Sequence, residues 1–393
     1  MGSRLKQLDV LRAIAVLYVI FVHWPGTSES MPIIVRLFRR VGWTGVDLFF
    51  VLSGFLVSGL LFREYKRYGR VDLIRFYIRR GLKIYPAFYA LLAVTAVLYY
   101  FRGMLPMGHA LKPLFFLSEA AFIQNYWHQI WGHTWSLAVE EHFYAMLGIL
   151  TLCSLKLKSK DSFRCIVPVF LTVAVFCLAF RVFRTLDDHA IRNQWLTHLR
   201  IDSLLFGVFL SYFYNFHSDR THHWFNSRRR IVLAASLLLL LPSIALSVEH
   251  SFIQTFGFTF LYLGYGGIMM LAVCGPEARL PRIVERTLGV LSFVGGYSYS
   301  IYLWHVAVIN WGPPYFQQVT GQYPSQMWLF VICVLCSLVL GIGMAVLVES
   351  PFLRFRDRLY PSKSGVLQAM VAERTAAGSV DASAVGAGPQ RRR

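Results

Sequence analysis

Long apolar stretches, separated by short polar segments, recur along almost the whole 393-residue chain. Most are close to the roughly 20 residues that a helix needs to cross the hydrocarbon core of a bilayer. Only helices or closed barrels can span that core, because its interior offers no water to backbone polar groups. The stretches cover residues 8–24, 44–62, 82–101, 134–155, 165–183, 198–216, 231–247, 254–274, 289–311 and 326–348. With 56% hydrophobic and 15% charged residues, the chain is predicted to be an all-α, polytopic transmembrane bundle of about ten spans.

The basic residues are distributed unevenly between the two sides of these spans. Lys and Arg number 39 against 20 Asp and Glu, which gives a net charge of +19. If the N-terminus lies in the cytoplasm, 30 of the 39 fall on the cytoplasmic side, as the positive-inside rule requires. The charge therefore indicates a topology with both termini inside and contact with membrane lipid. It gives no support for nucleic-acid binding.

The composition divides the chain into two parts. Residues 1–360 are predicted to form the transmembrane domain, and the first stretch is interpreted as a retained signal-anchor because no small-residue cleavage site follows it. Residues 361–393 are rich in Ala, Gly, Ser and Val and end in three arginines, which is typical of a disordered cytoplasmic tail. All six cysteines lie in or beside spans, so neither external disulfides nor a metal site is predicted.

The first span carries two ionisable residues, Arg12 and His23, on one helical stripe. Eleven residues of helix rotate by about three turns and rise roughly 16 Å. The stripe predicts one wall of a shaft, with a cation at its mouth and a base deeper inside. The alternative is that Arg12 snorkels to the headgroups and His23 lies at the opposite interface.

Polar residues from four other spans are predicted to lie at about the same depth as His23. They are Asp47, Ser136, Glu140, Arg200, Asp202 and His305. A structural role fits several of them: Asp47 can cap a helix, and His305 can be a hydrogen-bonded core residue. Arg200 and Asp202 can form an interface pair. Unpaired polar groups are costly at this depth, so their convergence favours a functional site in which roughly half of them are scaffold.

The fourth span contains two neighbouring acids. Ser136, Glu140 and Tyr144 follow at spacings of four and therefore share a helix face. Glu141 lies about 100° away, on the stripe of Leu137. It is predicted to face another helix or the interface.

The segment before the third span is densely basic. Arg75 and Arg79 are one helical turn apart, and Arg80 and Lys83 follow. Topology alone explains cations at this end of a span. The arginine content also suits a polyanionic ligand, because guanidinium groups bind phosphate in a bidentate manner.

These motifs together resemble the acyltransferase-3 family of integral membrane O-acyltransferases. No single motif is specific; the specificity lies in their joint order, which extends from about residue 8 to 350. The matches are Leu8-Asp9 with Arg12 and His23, Gly45-Val-Asp-Leu-Phe-Phe-Val-Leu-Ser-Gly54, Arg79-Arg80 through Tyr85-Pro86, Trp135-Ser-Leu-Ala-Val-Glu140 with Phe143-Tyr144, Arg200-Ile-Asp-Ser-Leu-Leu-Phe-Gly207, and Ser298-Tyr-Ser-Ile-Tyr-Leu-Trp-His305.

The resemblance implies a ten-helix enzyme of the bacterial cytoplasmic (inner) membrane. It implies transfer of an acyl group, most often acetyl, from cytoplasmic acyl-CoA to a hydroxyl of a sugar-containing acceptor (a glycan, glycolipid or glycoside), usually at the far face. Acyl-CoA is then a co-substrate, and no permanently bound cofactor is implied. Some relatives carry a further SGNH hydrolase-like domain, for which a chain of 393 residues is expected to have no room.

Acyl transfer to an alcohol needs a base, a reachable carbonyl and stabilisation of an oxyanion. Desolvation favours a neutral imidazole, so His23 is the predicted base, with Glu140 or Asp47 orienting its ring. The predicted donor-binding residues are Arg12, Arg75, Arg79, Arg80, Lys83 and Tyr85. The candidates for stabilising the oxyanion are Trp135, Ser136, Tyr144 and Tyr302, and the further supporting candidates are Glu141, Arg200, Asp202 and His305.

Two other classes of function fit parts of the pattern. A secondary transporter of a polar or anionic substrate also has buried charges on several helices, although no internal repeat or pair of broken helices supports it. A non-enzymatic membrane scaffold or sensor would not require titratable groups from many spans in one layer. Binding or hydrolysis of acyl-CoA by purified protein distinguishes the enzyme from both.

Overall fold

The computed structural model describes residues 6–25, 31–103, 112–157, 161–186, 193–276, 281–322 and 325–361. These ranges are helical, with short connections and no strand among them. The helices are α1 (Lys6–His23), α2 (Ile33–Val41), α3 (Gly45–Tyr68), α4 (Leu73–Arg102), α5 (Pro113–Ala120), α6 (Trp135–Lys156), α7 (Ile166–Leu186), α8 (Thr197–Phe216), α9 (Ser218–Ser227), α10 (Arg229–Ala245), α11 (Phe258–Cys274), α12 (Arg282–Gly296), α13 (Ser298–Thr320), α14 (Gln326–Met344) and α15 (Ser350–Leu359). The predicted tail falls almost wholly outside the described residues.

Short irregular turns lead into four of these helices. The 3₁₀ turns Gly42–Thr44 and Gly132–Thr134 directly precede α3 and α6. The π-helical turns Ile253–Gly257 and Ala345–Glu349 precede α11 and α15. Such turns are frequent at helix ends, and π turns are frequent near functional sites.

The prediction of a single continuous helix over residues 289–311, the ninth span, is wrong. The helix α12 ends at Gly296 and α13 begins at Ser298, since Tyr297 leaves helical geometry with φ −105° and ψ 7°. Gly295 packs directly on α1, where a Cβ atom would lie 1.7 Å from the backbone oxygen of Asp9. Because glycine weakens a helix, the chain bends where it passes closest to α1.

Five helical stretches within the described residues are long and apolar enough to cross a membrane: Ile33–Tyr68, Leu73–Phe101, Ile166–Leu186, Ile253–Cys274 and Gln326–Leu359. Four of the other predicted spans are too polar or too short to meet this requirement of length and hydropathy. The helices α1, α6 and α8 carry the ionisable residues that the sequence singled out, and α10 has only 17 residues. The long apolar helices are those expected of an integral membrane protein.

The helices α3 and α8 pack closely against each other through two glycines. A Cβ atom on Gly54 would lie 1.9 Å from the backbone oxygen of Leu204, and one on Gly207 would lie 2.3 Å from that of Val51. Small residues allow two helix backbones to approach closely inside a membrane. This contact fixes α8 against α3, which forms one wall of the candidate site.

Candidate active site

A cavity of about 260 Å³ lies among α1, α3, α4, α6 and α13. Its polar lining comprises the cations Arg12, Arg63, Arg80 and Lys83, the acids Glu140 and Glu141, and the hydroxyl-bearing residues Ser53, Ser136, Tyr144, Ser298, Tyr299 and Tyr302. The rest of the lining is apolar and aromatic. Five helices thus contribute to one space that contains cations, carboxylates and hydroxyls.

Three of the predicted donor-binding residues, Arg12, Arg80 and Lys83, line this cavity. Arg63 of α3 lines it as well and was not among the predicted donor-binding residues. Arg80 lies over the ring of Tyr144, 5.5 Å from the ring centroid. The four cations outnumber the two acids, so the cavity favours an anionic ligand.

Arg75 and Arg79, also predicted to bind the donor, do not line the cavity. Arg79 forms an ion pair with Asp357 of α15 at 3.1 Å and donates to the backbone oxygen of Tyr360. Arg75 lies in the first turn of α4, where its backbone N–H donates to the capping carboxylate of Asp72. Around the helix, Arg79 and Arg75 are turned by about 100° and 140° from Arg80, which explains why they do not line the cavity.

The two acids of α6 have different partners. Glu140 accepts hydrogen bonds from Tyr144 at 2.6 Å and Ser53 at 3.2 Å. Glu141 accepts one from Tyr85 of α4 at 3.0 Å, so Tyr85 is engaged with α6 and does not line the cavity as a donor ligand would. Glu141 faces another helix, as predicted, and it also borders the cavity.

A pair of hydroxyls closes one part of the cavity. The Ser136 and Tyr302 hydroxyl oxygens lie 2.6 Å apart, and Tyr302 donates to the backbone oxygen of His133 at 2.7 Å. The ring of Tyr302 also lies 5.6 Å from that of His305. Tyr302 therefore connects the cavity with the histidines described next.

Three histidine rings, from α1, α13 and the turn before α6, form a cluster. Ring centroids are 4.9 Å apart for His23 and His305, 5.1 Å for His133 and His305, and 6.2 Å for His23 and His133. The Nε2 atom of His305 lies 3.2 Å from the Nδ1 atom of His23. Of the histidines that the structure describes, none lines the cavity itself, so the cavity that Arg12 lines stops at Tyr302, short of His23.

Neither carboxylate that was expected to orient His23 does so. Asp47 pairs with Arg200 at 2.5 Å, and both side chains are almost wholly buried. The guanidinium of Arg200 lies 3.8 Å from the ring centroid of Phe258 and 5.9 Å from that of Trp135. Asp47 and Trp135 therefore belong to a buried cation–aromatic cluster, because a charge at this depth must be compensated locally.

The predicted alternative of an Arg200–Asp202 interface pair is also wrong. Asp202 pairs with Arg181 of α7 at 2.9 Å, with both side chains fully buried. Arg181 further donates to the Leu199 backbone oxygen at 3.0 Å and to Thr259 at 2.8 Å. Neighbouring charges on α8 thus point to different helices, which ties α3, α7 and α11 to α8.

Comparison with known proteins shows to which family the chain belongs. The acyltransferase domain of the acyltransferase-3 family matches residues 5–347. The chain belongs to this family. A Staphylococcus aureus (strain COL) protein named "Putative O-acetyltransferase" is 29% identical over 361 residues, which are 88% of this chain and 56% of that protein. The O-acetyltransferase OatA of S. aureus (strain NCTC 8325 / PS 47) is 26% identical over 365 residues, 88% of this chain and 57% of OatA.

The chain thus spans little more than half the length of these curated relatives. No solved structure matches it.

The hydrogen bonds assign the proton positions in the histidine cluster. A backbone carbonyl only accepts, so the Nδ1 of His23, 2.8 Å from the Val19 oxygen, carries the proton. The same argument places protons on Nδ1 of His305, against the Tyr302 oxygen, and on Nε2 of His133, against the Leu303 oxygen. Neutral His23 therefore keeps its lone pair on Nε2.

Sequence reasoning missed His133, Arg181 and Glu119. A signal existed for two of them: His133 directly precedes the Thr134-Trp135 start of a predicted span, and Arg181 is an arginine inside an apolar stretch, which usually has a function or a partner. Nothing in the sequence pointed to Glu119, because its hydrogen-bond partners lie in the loop that follows it.

Glu119 holds that loop in place. Its carboxylate accepts from the backbone N–H groups of Ile130 at 2.8 Å and Trp131 at 3.2 Å, and from the hydroxyl of Thr134 at 2.9 Å. Burial raises the pKa of Glu119 to about 7, against the opposing effect of these donors. The donors flank His133, so Glu119 fixes the turn that presents this histidine.

Proposed function

We propose that this acyltransferase moves an acyl group, most often acetyl, from cytoplasmic acyl-CoA to a hydroxyl of a sugar-containing acceptor at the far face of the bacterial cytoplasmic membrane. The proposal includes about ten spans with both termini in the cytoplasm. One observation carries it: a cavity with four cations in its lining reaches the Ser136–Tyr302 hydroxyl pair, and Tyr302 contacts a cluster of three histidines. The names of the relatives support acetyl as the group and oxygen as the acceptor atom.

Arg12, Arg63, Arg80 and Lys83 are the proposed ligands of the CoA phosphates. Arginine suits this role because its planar fork binds phosphate oxygens in pairs. The apolar and aromatic part of the lining then surrounds the uncharged pantetheine arm. Glu140 lies along this proposed path. It accepts a hydrogen bond from Tyr144 and so holds the ring over which Arg80 lies.

His23 is the proposed general base. Its Nε2 takes the proton of the acceptor hydroxyl while the hydroxyl oxygen attacks the thioester carbonyl. The Val19 carbonyl and His305 hold the opposite ring edge, which is the orienting role that a carboxylate fills in hydrolase triads. The tetrahedral oxyanion accepts a hydrogen bond from the hydroxyl of Tyr302 or Ser136, once that hydroxyl turns from its present acceptor. When the C–S bond breaks, the imidazolium returns the proton to the CoA sulfur, and the acyl ester and free thiol leave.

The test uses the purified full chain in lipid vesicles with radiolabelled acetyl-CoA and a surface glycolipid extract. Mass spectrometry of the extract identifies the esterified hydroxyl. The proposal predicts acetyl-ester formation by the wild type, loss of it in His23→Ala, and an unchanged melting temperature in both. His223→Ala, at an exposed position of α9, is the control and should keep full activity. Absence of ester with the wild type overturns the function, and normal activity of His23→Ala overturns the base.

A further inference from the structure

A second and larger cavity of about 700 Å³ lies among α8, α9, α10 and α11. It shares no lining residue with the candidate active site. Most of its wall is apolar: Phe206, Phe209 and Phe213 follow one face of α8, and Val232, Ala235 and Leu239 follow one face of α10. These spacings of three and four place each set on a single helix stripe.

The groove has a closed and an open end. At Gly267 the two helices α10 and α11 touch, because a Cβ atom there would lie 2.1 Å from the Ser236 hydroxyl. At the other end α9 contributes Arg220, Thr221 and Trp224 to the lining. Polar lining is thus concentrated near α9.

The open end is strongly basic. Residues 217–230 contain four arginines against one acid, Asp219. Arg220 is exposed, and the described part of the chain offers it neither an ion pair nor a hydrogen bond. An apolar groove that ends at such a cation matches a molecule with a hydrocarbon chain and an anionic headgroup.

We propose that this groove binds one anionic phospholipid, with an acyl chain along the aromatic stripe of α8 and its phosphate group on Arg220. The groove belongs to a membrane protein and is apolar, so lipid chains fill it at less cost than water. The cation then selects the headgroup by a charge-assisted contact. This inference does not depend on the proposed enzymatic function.

The headgroup contact is tested by native mass spectrometry of the detergent-solubilised full chain with dioleoylphosphatidylglycerol or dioleoylphosphatidylcholine. The wild type should retain phosphatidylglycerol more strongly. Arg220→Gln should weaken that retention roughly tenfold, the effect of losing one charge-assisted contact. Arg282→Gln removes an exposed cation from α12, away from the groove, and should retain phosphatidylglycerol like the wild type. Equal retention by the two variants overturns the headgroup assignment.

The chain-binding groove is tested with two adjacent alanines of α10. Ala235 lines the groove and Ala234 does not, and both are exposed. Ala235→Phe should fill the groove and abolish retention of phosphatidylglycerol, whereas Ala234→Phe should leave retention unchanged. Full retention by Ala235→Phe overturns the site even if Arg220→Gln has an effect, because the lipid then binds elsewhere.

Discussion

Arg79 and Arg80 are adjacent in the sequence and differ completely in their surroundings. Arg80 lines the cavity, whereas Arg79 pairs with Asp357. Arg80→Gln should weaken acyl-CoA binding by about tenfold or more, since a charge-assisted phosphate contact is lost. Arg79→Gln should change binding much less. Calorimetric titration of acetyl-CoA into the two variants measures the difference, and equal affinities would remove Arg80 from the donor site.

Glu140 and Glu141 offer a second adjacent pair. Glu140→Gln should reduce turnover severely, because its carboxylate accepts two hydrogen bonds that order the cavity wall. Glu141→Gln should be milder by about tenfold, or about 1.4 kcal/mol in the barrier, because it accepts from Tyr85 only at the margin of the site. Steady-state kinetics of both variants decides the order. The reverse order would show that Glu141 is the more important acid.

At the scale of single residues, helix periodicity predicted which residues share a helix face better than it predicted their partners. Ser136, Glu140 and Tyr144 share the cavity wall, as their spacing of four requires. The partner of Asp47 was not predictable, because any of several helices can supply the cation that a buried carboxylate needs. Helix periodicity fixes a direction around one helix and carries no information on which helix lies opposite.

The loop between α5 and α6 depends on one carboxylate. Glu119→Ala would leave the backbone N–H groups of Ile130 and Trp131 without their acceptor, at a cost of about 1–3 kcal/mol for each unsatisfied group. We expect a lower melting temperature and a large loss of turnover, because His133 is displaced. Glu119→Gln keeps an acceptor oxygen and should retain most of both. If Ala and Gln behave alike, hydrogen bonding by Glu119 does not hold the loop.

Because the pKa of Glu119 is raised, the stability difference between the wild type and Glu119→Gln should depend on pH. The folded state binds this proton more tightly than the unfolded state, whose pKa is near 4.5. The stability that this proton contributes is therefore complete below pH 4.5 and is lost as the pH rises through about 7. Gln resembles the protonated acid, so the melting temperature of Glu119→Gln should rise relative to the wild type over this range and the difference should then level off.

Element prediction succeeded where length and hydropathy were sufficient. The apolar stretches coincide with helices because a hydrophobic run of this length has one favourable form in a bilayer. The helices α2, α5, α9 and α12 are each too short or too polar to be predicted as spans from length and hydropathy. The break at Tyr297 depends on the contact of Gly295 with α1, which is a tertiary event that local sequence does not encode.

The whole bundle relies on the glycine contact between α3 and α8. Gly207→Ala should destabilise the protein by about 1–3 kcal/mol, because the added methyl group forces the backbones apart. Gly343→Ala is the matched control, since a Cβ atom there meets nothing within 4 Å. Removing this helical glycine should be neutral or stabilise by about 0.5–1 kcal/mol. Thermal unfolding in detergent measures both, and a harmless Gly207→Ala would contradict the packing.

The attachment of α15 to α4 has a practical consequence for ionic strength. The Arg79–Asp357 pair is exposed to solvent, with the Asp357 side chain 52% accessible. Salt at physiological concentration screens such charges beyond about 8 Å, and higher salt weakens them further. The proposed contact of Arg80, the next residue, with an anionic donor depends on the same long-range force. Added salt should therefore loosen α15 and weaken the proposed donor binding together, so affinities measured at different salt concentrations would not be comparable.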